Sequence, residues 1–106
     1  MTMPRLLLPA ALVLLLTGCY TVDNERFAGT MHAMVKGGMP MADAVARLKA
    51  EGFACSAMLP MPSLTCSKTR QSIAPYTCVE RVNLNAAPDP SRVGAVEVPK
   101  IACAGL

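Results

Sequence analysis

Four cysteines in the C-terminal half of this 106-residue chain restrict its fold more than any other feature. Gaps of ten, eleven and twenty-four residues separate Cys55, Cys66, Cys78 and Cys103, and no CxxC pair occurs. Zinc sites use closely spaced cysteines and histidines, whereas the only histidine here, His32, lies far upstream. An even number of cysteines in a small exported chain indicates disulfides. The spacing therefore predicts two disulfides and neither a metal site nor a redox centre.

The N-terminus has the features of a secretory signal. Arg5 precedes an apolar run of eleven residues, Leu6–Leu16, and small residues follow before Cys19. A basic start, a short apolar core and a small-residue cleavage site are typical of signal peptides. The run is too short for a permanent anchor, because a membrane-spanning helix needs about 20 apolar residues. Residues 1–18 are therefore predicted to be a signal peptide.

The residues around the predicted cleavage site resemble the lipobox of bacterial lipoproteins, whose pattern is Leu, a small or polar residue, Gly or Ala, then Cys. The matching residues here are Leu16, Thr17, Gly18 and Cys19. The resemblance implies lipid on the Cys19 sulfur, cleavage before Cys19 and acylation of the new amine. Two or more acyl chains give stable membrane anchoring. In this family an Asp after the cysteine commonly retains the protein in the inner membrane, so Tyr20 implies the outer membrane, with the domain facing the periplasm.

The predicted mature chain, residues 19–106, is long enough for one small domain. Once Arg5 is removed, nine Lys and Arg residues remain against seven Asp and Glu residues, and the charges are interspersed. Nucleic acid is not an expected partner, because no basic stripe accompanies aromatic residues. The expected partners are the membrane, through the lipid, and another envelope protein. No cofactor is expected.

The predicted domain begins after a tether. Residues 20–30 are mostly polar, lack a clear hydrophobic period and follow directly on the lipidated cysteine. Fully extended, they reach on the order of 35 Å. A short helical turn is expected from Met31 to Lys36, ended by Gly37 and Gly38. The chain is therefore divided into residues 1–18 as signal, residues 19–35 as lipidated tether and residues 36–106 as a disulfide-stabilised domain.

One helix is predicted from Pro40 to Glu51. Its apolar residues fall at i, i+3, i+4 and i+7, which forms a single face. These residues are Met41, Ala44, Val45 and Leu48. Pro40 suits the first helical turn, where its missing N–H costs nothing, and Gly52 suits a left-handed cap.

After this helix the composition predicts four short strands. They are Phe53–Met58, Leu64–Lys68, Tyr76–Leu84 and Arg92–Ala102. Proline-rich or Asn-rich turns separate several of them, and Pro99 places the last strand at an edge or ends its pairing. The predicted fold class is α+β, with one short helix packed on an antiparallel meander of about four strands.

Hairpin geometry favours one pairing of the four cysteines. Opposed residues in a hairpin have a constant index sum, so a cross-strand disulfide is centred on the turn. Cys55–Cys66 and Cys78–Cys103 are both centred on predicted turns, and this pairing is favoured. The alternative joins Cys66 to Cys78 and Cys55 to Cys103. It stays open, because the midpoint of its first pair also lies in a predicted loop.

The sequence offers little support for catalysis. It contains no HExxH, GxSxG or glycine-rich phosphate loop. The seven carboxylates of the mature chain are scattered, and several adjoin basic residues. Glu80 beside Arg81 is an example that predicts a surface ion pair. The protein is therefore not expected to be an enzyme.

A methionine-rich segment provides the one set of candidate metal ligands. Met31, His32 and Met34 precede Met39 and Met41, and thioether and imidazole ligands suit Cu(I). Methionine also fills irregular gaps in hydrophobic cores. We expect packing here and no metal, because glycines and a proline interrupt the segment and Met41 belongs to the apolar helix face. A periplasmic copper-binding lipoprotein is the alternative function.

Residues 36–106 also resemble one half of the small outer-membrane assembly lipoproteins of the β-barrel assembly machinery. The resemblance lies in Gly37–Pro40 opening a short helix, followed by Gly52 and a cysteine-bearing meander. Those proteins combine a lipidated cysteine, a short tether, helices and an antiparallel sheet. A lipoprotein inhibitor of lysozyme is also small, lipidated and disulfide-bonded, so inhibition of a cell-wall hydrolase is a second alternative. The favoured hypothesis is a lipid-anchored envelope protein with a binding or structural role.

Overall fold

A computed structural model describes residues 20–59, 61–71 and 76–104. Within these ranges, two helices precede five strands. The elements are α1 (Asn24–Met34), α2 (Met41–Ala50), β1 (Ala54–Ala57), β2 (Leu64–Gln71), β3 (Thr77–Ala86), β4 (Val93–Glu97) and β5 (Ala102–Ala104). The predicted α+β class with two disulfides is confirmed. The predicted signal peptide, the lipidation site at Cys19, Pro60 of the first turn and residues 72–75 of the predicted loop lie outside the described residues.

The sheet is antiparallel throughout and is built around β3. Strands β1, β2, β3 and β4 are neighbours in that order, and β5 also pairs with β3. The predicted strand Arg92–Ala102 is divided into β4 and β5, which pair with opposite ends of β3. Pro99 lies between the two strands and cannot donate an N–H to a ladder. Its predicted effect of ending the ladder is confirmed.

Helix α1 replaces most of the predicted tether, so the division at residue 35 is wrong. The Asp23 carboxylate accepts a hydrogen bond from the Arg26 N–H at 3.0 Å and caps the helix. Phe27, Met31 and Val35 recur every four residues and are buried. Met34 packs partly buried beside them, so the apolar positions follow i, i+4, i+7 and i+8, a helical period that crosses the predicted boundary between tether and helical turn at residue 31. The domain therefore extends N-terminally to include α1.

The prediction of helix α2 is confirmed: the helix begins and ends within one residue of the predicted bounds, Pro40 and Glu51. Ala44 and Leu48 are fully buried, while Met41 and Val45 pack partly buried against the core. Gly52 follows the helix with φ of +94°, a left-handed conformation that favours glycine. The single apolar face proposed from the spacing is the face that the helix buries.

The loop between the helices is fixed to β4 by backbone hydrogen bonds. Gly38 N–H donates to the Val93 carbonyl at 2.7 Å, and Val93 N–H donates to the Met39 carbonyl at 2.9 Å. A Cβ atom on Gly37 would stand 2.5 Å from the carbonyl oxygen of Gly94, so this approach requires glycine. The glycines predicted to interrupt a helix therefore also allow the loop to contact the sheet.

The core lies between the two helices and the sheet. It comprises Phe27, Met31, Val35, Ala44, Leu48, Phe53, Cys66, Val82, Leu84 and Val93. Burial of each large aliphatic or aromatic side chain contributes roughly 1.5–3 kcal/mol. Helix α1 supplies Phe27 and Met31, and its C-cap residue Val35 supplies a third of these ten, so α1 contributes to the domain's stability.

Both disulfides join register partners on adjacent strands. Cys55 pairs with Cys66 between β1 and β2, and Cys78 pairs with Cys103 between β3 and β5. The Cα atoms are 4.0 Å apart in each pair. The favoured pairing is confirmed. Each bridge restricts the unfolded chain and contributes on the order of 3 kcal/mol.

Candidate functional site

An open groove runs along helix α1 at the end of the sheet where β2 finishes. Its volume is about 440 Å³. Its walls combine aromatic, charged and hydroxyl side chains. They are formed by Tyr20, Thr21, Asp23, Arg26, Phe27, Thr30, Met31, Met34, Glu51, Phe53, Lys68, Arg70, Glu80 and Ile101, and we call this set the α1 groove. Such a mixture suits recognition of an amphipathic partner more than that of a purely apolar one.

One end of the α1 groove is organised around a buried carboxylate. The Tyr20 hydroxyl donates a hydrogen bond to Glu80 Oε2 at 3.1 Å, and Arg70 Nη1 lies 3.7 Å from Glu80 Oε1. The Arg70 guanidinium carbon lies 4.5 Å from the centre of the Tyr20 ring, which is a cation–π geometry. We call Tyr20, Arg70 and Glu80 the Tyr20 cluster. Within this cluster, Tyr20 hydrogen-bonds the Glu80 carboxylate and Arg70 balances its negative charge.

Burial makes these contacts necessary. The Glu80 side chain is only 8% exposed, and an unpaired carboxylate at that depth costs several kcal/mol. Burial raises the pKa of Tyr20, and the hydrogen bond and negative charge of Glu80 raise it further, while Arg70 acts in the opposite direction. The Tyr20 phenol therefore keeps its proton at neutral pH and donates a hydrogen bond to Glu80.

The predicted surface pair between Glu80 and Arg81 is wrong. Strand β3 alternates its side chains, so Cys78, Glu80, Val82 and Leu84 all face the buried side of the sheet. Arg81 lies on the opposite face and is exposed. Glu80 instead contacts Arg70 on β2. The alternation is visible in the sequence, and it could have identified Glu80 as a buried carboxylate in need of a partner.

Two aromatic rings and a lysine form the adjoining part of the groove. The rings of Phe27 and Phe53 stack with centroids 6.4 Å apart and planes inclined by 16°. Lys68 Nζ lies 5.9 Å from the centre of the Phe53 ring and donates a hydrogen bond to the Glu51 carbonyl at 2.8 Å. Both rings are themselves buried, so this part of the groove presents mainly the Lys68 side chain at their edge.

The candidate metal ligands are placed in different environments. Met31 is buried in the core, Met34 is partly buried against it, and His32 is exposed. The Met39 sulfur accepts a hydrogen bond from the Lys36 N–H at 3.2 Å, and Met41 packs partly buried against the core. Among the described residues, no three His, Cys, Asp or Glu side chains are placed to hold a metal ion together. The structure thus gives Met31 and Met41 the packing role expected of them.

The geometry of the groove favours non-covalent recognition. The carboxylate oxygens of Glu80 are engaged by Tyr20 and Arg70, and the phenol of Tyr20 is bonded in turn. The exposed groups in the rest of the groove include the Arg26 guanidinium and the Thr30 hydroxyl. In the part of the chain that the structure describes, no helix has the length and apolarity needed to cross a membrane.

Comparisons with protein-family models, curated proteins and solved structures found no match to this chain.

Proposed function

We propose that the protein is a lipid-anchored module of the bacterial envelope that acts by binding and not by catalysis. The observation that carries the proposal is the sequence Leu16–Cys19, a lipobox at the end of a short apolar run. The lipid would hold the protein on a membrane, and the choice of Tyr20 instead of Asp after the cysteine favours the outer membrane. The domain would then work in the periplasm.

The disulfides support the assignment to an oxidising compartment. Two bridges in a chain of this size are typical of exported proteins and rare in the cytosol. The small core is also consistent with a domain that needs such bridges. A binding role is supported by the α1 groove, which combines aromatic surface with charged and hydroxyl groups.

Metabolic labelling with palmitate tests the anchor. The wild-type protein should incorporate label and be recovered with membranes, whereas Cys19→Ser should incorporate none and keep its signal sequence. Gly18→Ala is the matched control, because Ala at that position fits the lipobox and should leave labelling intact. Label on the Cys19→Ser protein, or none on the wild type, would contradict the proposal.

Crosslinking in envelope preparations tests the binding role. Thr30 lines the α1 groove and is exposed, so Thr30→Arg should obstruct the groove without disturbing the core. Ala46→Arg places the same charge on an exposed position of α2 and serves as the control. We expect a crosslinked partner with the wild type and Ala46→Arg, and its loss with Thr30→Arg. Equal crosslinking of all three proteins would argue against the groove as the binding surface.

A further inference from the structure

The segment that joins the predicted lipid site to the domain is held against the domain. Tyr20 is the residue after Cys19. Its hydroxyl donates a hydrogen bond to Glu80, and the Arg70 guanidinium lies over its ring. Only residues 21–23 separate it from helix α1. The chain therefore enters the folded domain directly after the predicted lipidation site.

The start of α1 is fixed as well. The Asp23 carboxylate caps the helix, and the side-chain oxygen of Asn24 accepts a hydrogen bond from the Ile101 N–H at 2.7 Å. Ile101 adjoins β5, whose Cys103 is joined to Cys78. The entry segment is thus attached to the sheet at two places, Tyr20 and Asn24.

These attachments set the position of the lipid. Adjacent Cα atoms in a peptide chain are about 3.8 Å apart, so a lipid on the residue before Tyr20 would be joined to the domain within one peptide unit of the Tyr20 cluster. We infer that the edge of the domain formed by the entry segment, residues 20–24 with Ile101, rests directly on the phospholipid bilayer, while the stretch of the α1 groove at Thr30 stays open to a partner. This inference depends on the proposed lipidation of Cys19.

The chemistry of this face fits phospholipid headgroups. At the start of α1 it carries the cation Arg26 and the acidic group Asp23, both exposed. Both signs of charge are therefore present, as in zwitterionic headgroups. Val22 is 41% exposed in the entry segment and adds apolar surface next to the lipid.

The opposite end of the sheet provides a reference point. Leu59 lies in the turn between β1 and β2 and is 85% exposed. Strand β2 runs from that turn to Arg70, a distance of about 20 Å at about 3.3 Å per residue. In the inferred orientation this turn stands away from the bilayer.

Tryptophan fluorescence can measure the orientation, because the chain contains no tryptophan. Lys100→Trp places a reporter beside Ile101, at an exposed position that is distant from Cys19 in sequence. Leu59→Trp places one at the opposite end. The full lipidated proteins would be incorporated into phosphatidylcholine vesicles that carry a nitroxide quencher on the headgroup. We expect the fluorescence at position 100 to be quenched several-fold more strongly than that at position 59.

Two further variants test whether the short, fixed entry segment sets this orientation. A Gly-Ser insertion of ten residues between Cys19 and Tyr20 keeps the lipid and the Tyr20 cluster but separates them by about 17 Å on average. Quenching at position 100 should then fall to the level at position 59. Tyr20→Ala should reduce it partially, because Asn24 still holds the chain. Equal quenching at the two positions, or no effect of the insertion, would overturn the inferred orientation.

Mass spectrometry of the N-terminal peptide separates this outcome from failure of the proposed function. An unlipidated Cys19 would overturn both proposals. A lipidated Cys19 with equal quenching would overturn the orientation alone.

Discussion

The two helices of this domain differ in how their sequences relate to their structures. Helix α2 carries apolar residues at four positions of one face, with a proline before it and a glycine after it. Helix α1 buries Phe27 and Met31, has Met34 partly buried beside them, and is otherwise mostly polar. Both nevertheless contribute fully buried or nearly buried side chains to the same core. The comparison shows that a helix with a weak local pattern can still be essential to a small core.

The difference has a physical origin in the surface that each helix covers. Helix α2 lies over the sheet and adjoins β1 through a tight turn at Gly52. Helix α1 covers the part of the core that ends at the α1 groove, so its other sides remain in contact with water. A narrow apolar stripe is sufficient there, whereas a wider one would leave hydrophobic surface exposed.

The largest expected effect tests the helix that the sequence predicts well. Leu48→Ala removes a fully buried side chain from the centre of the core and should lower the free energy of unfolding by about 4 kcal/mol. Denaturant titration measures the change. Lys49→Ala, at an exposed position of the same helix, should change stability by no more than about 0.5 kcal/mol. Similar stabilities for the two variants would place the core elsewhere.

The next prediction separates a structural α1 from a tether. Phe27→Ala should lower the free energy of unfolding by about 3 kcal/mol, because Phe27 packs in the core and stacks on Phe53. The effect should be smaller than for Leu48, since Phe27 borders the open groove. His32→Ala, exposed on the same helix, is the control. Unchanged stability in both variants would restore the tether interpretation.

A smaller effect is expected at the helix cap. Asp23→Ala removes the acceptor for the Arg26 N–H and should cost about 1 kcal/mol. Asp23→Asn keeps a side-chain oxygen and should retain most of the stability. Hydrogen exchange of the α1 amides should increase in Asp23→Ala while that of α2 stays unchanged. A uniform increase over both helices would show that they open together.

The smallest effect concerns pH. The pKa of Tyr20 is raised by burial and by Glu80, so the unfolded chain loses the phenol proton at a lower pH than the folded chain. The contribution of this group to stability is thus present below pH about 10 and is lost as pH rises through the folded pKa. Tyr76→Phe leaves Tyr20 as the only tyrosine. Its phenolate absorbance should appear at a higher pH in folded than in denatured protein. Coincident titrations would contradict the Tyr20 cluster.

The α1 groove was less accessible to prediction than the fold. The spacing of Met31 and Met34 allows copper ligation as the alternative to packing, and both residues lie in or against the core. In the sequence, Tyr20 is distinguished only by its place after the predicted lipidated cysteine. Glu80 could have been found from the alternation in β3, but its partner could not, because Arg70 lies on another strand.

The sequence by itself determined helix α2 and the hairpin turns, and it favoured one of two open pairings of the four cysteines. These features depend on short-range signals, namely the period of apolar residues, the turn-forming prolines and asparagines, and the symmetry of a hairpin about its turn. Only the tertiary structure decided that α1 is a helix and that Tyr20 joins Glu80, a residue sixty positions away. Contacts of that range leave no local period, because they depend on which surfaces the folded sheet leaves to be covered and which buried charge it leaves to be paired.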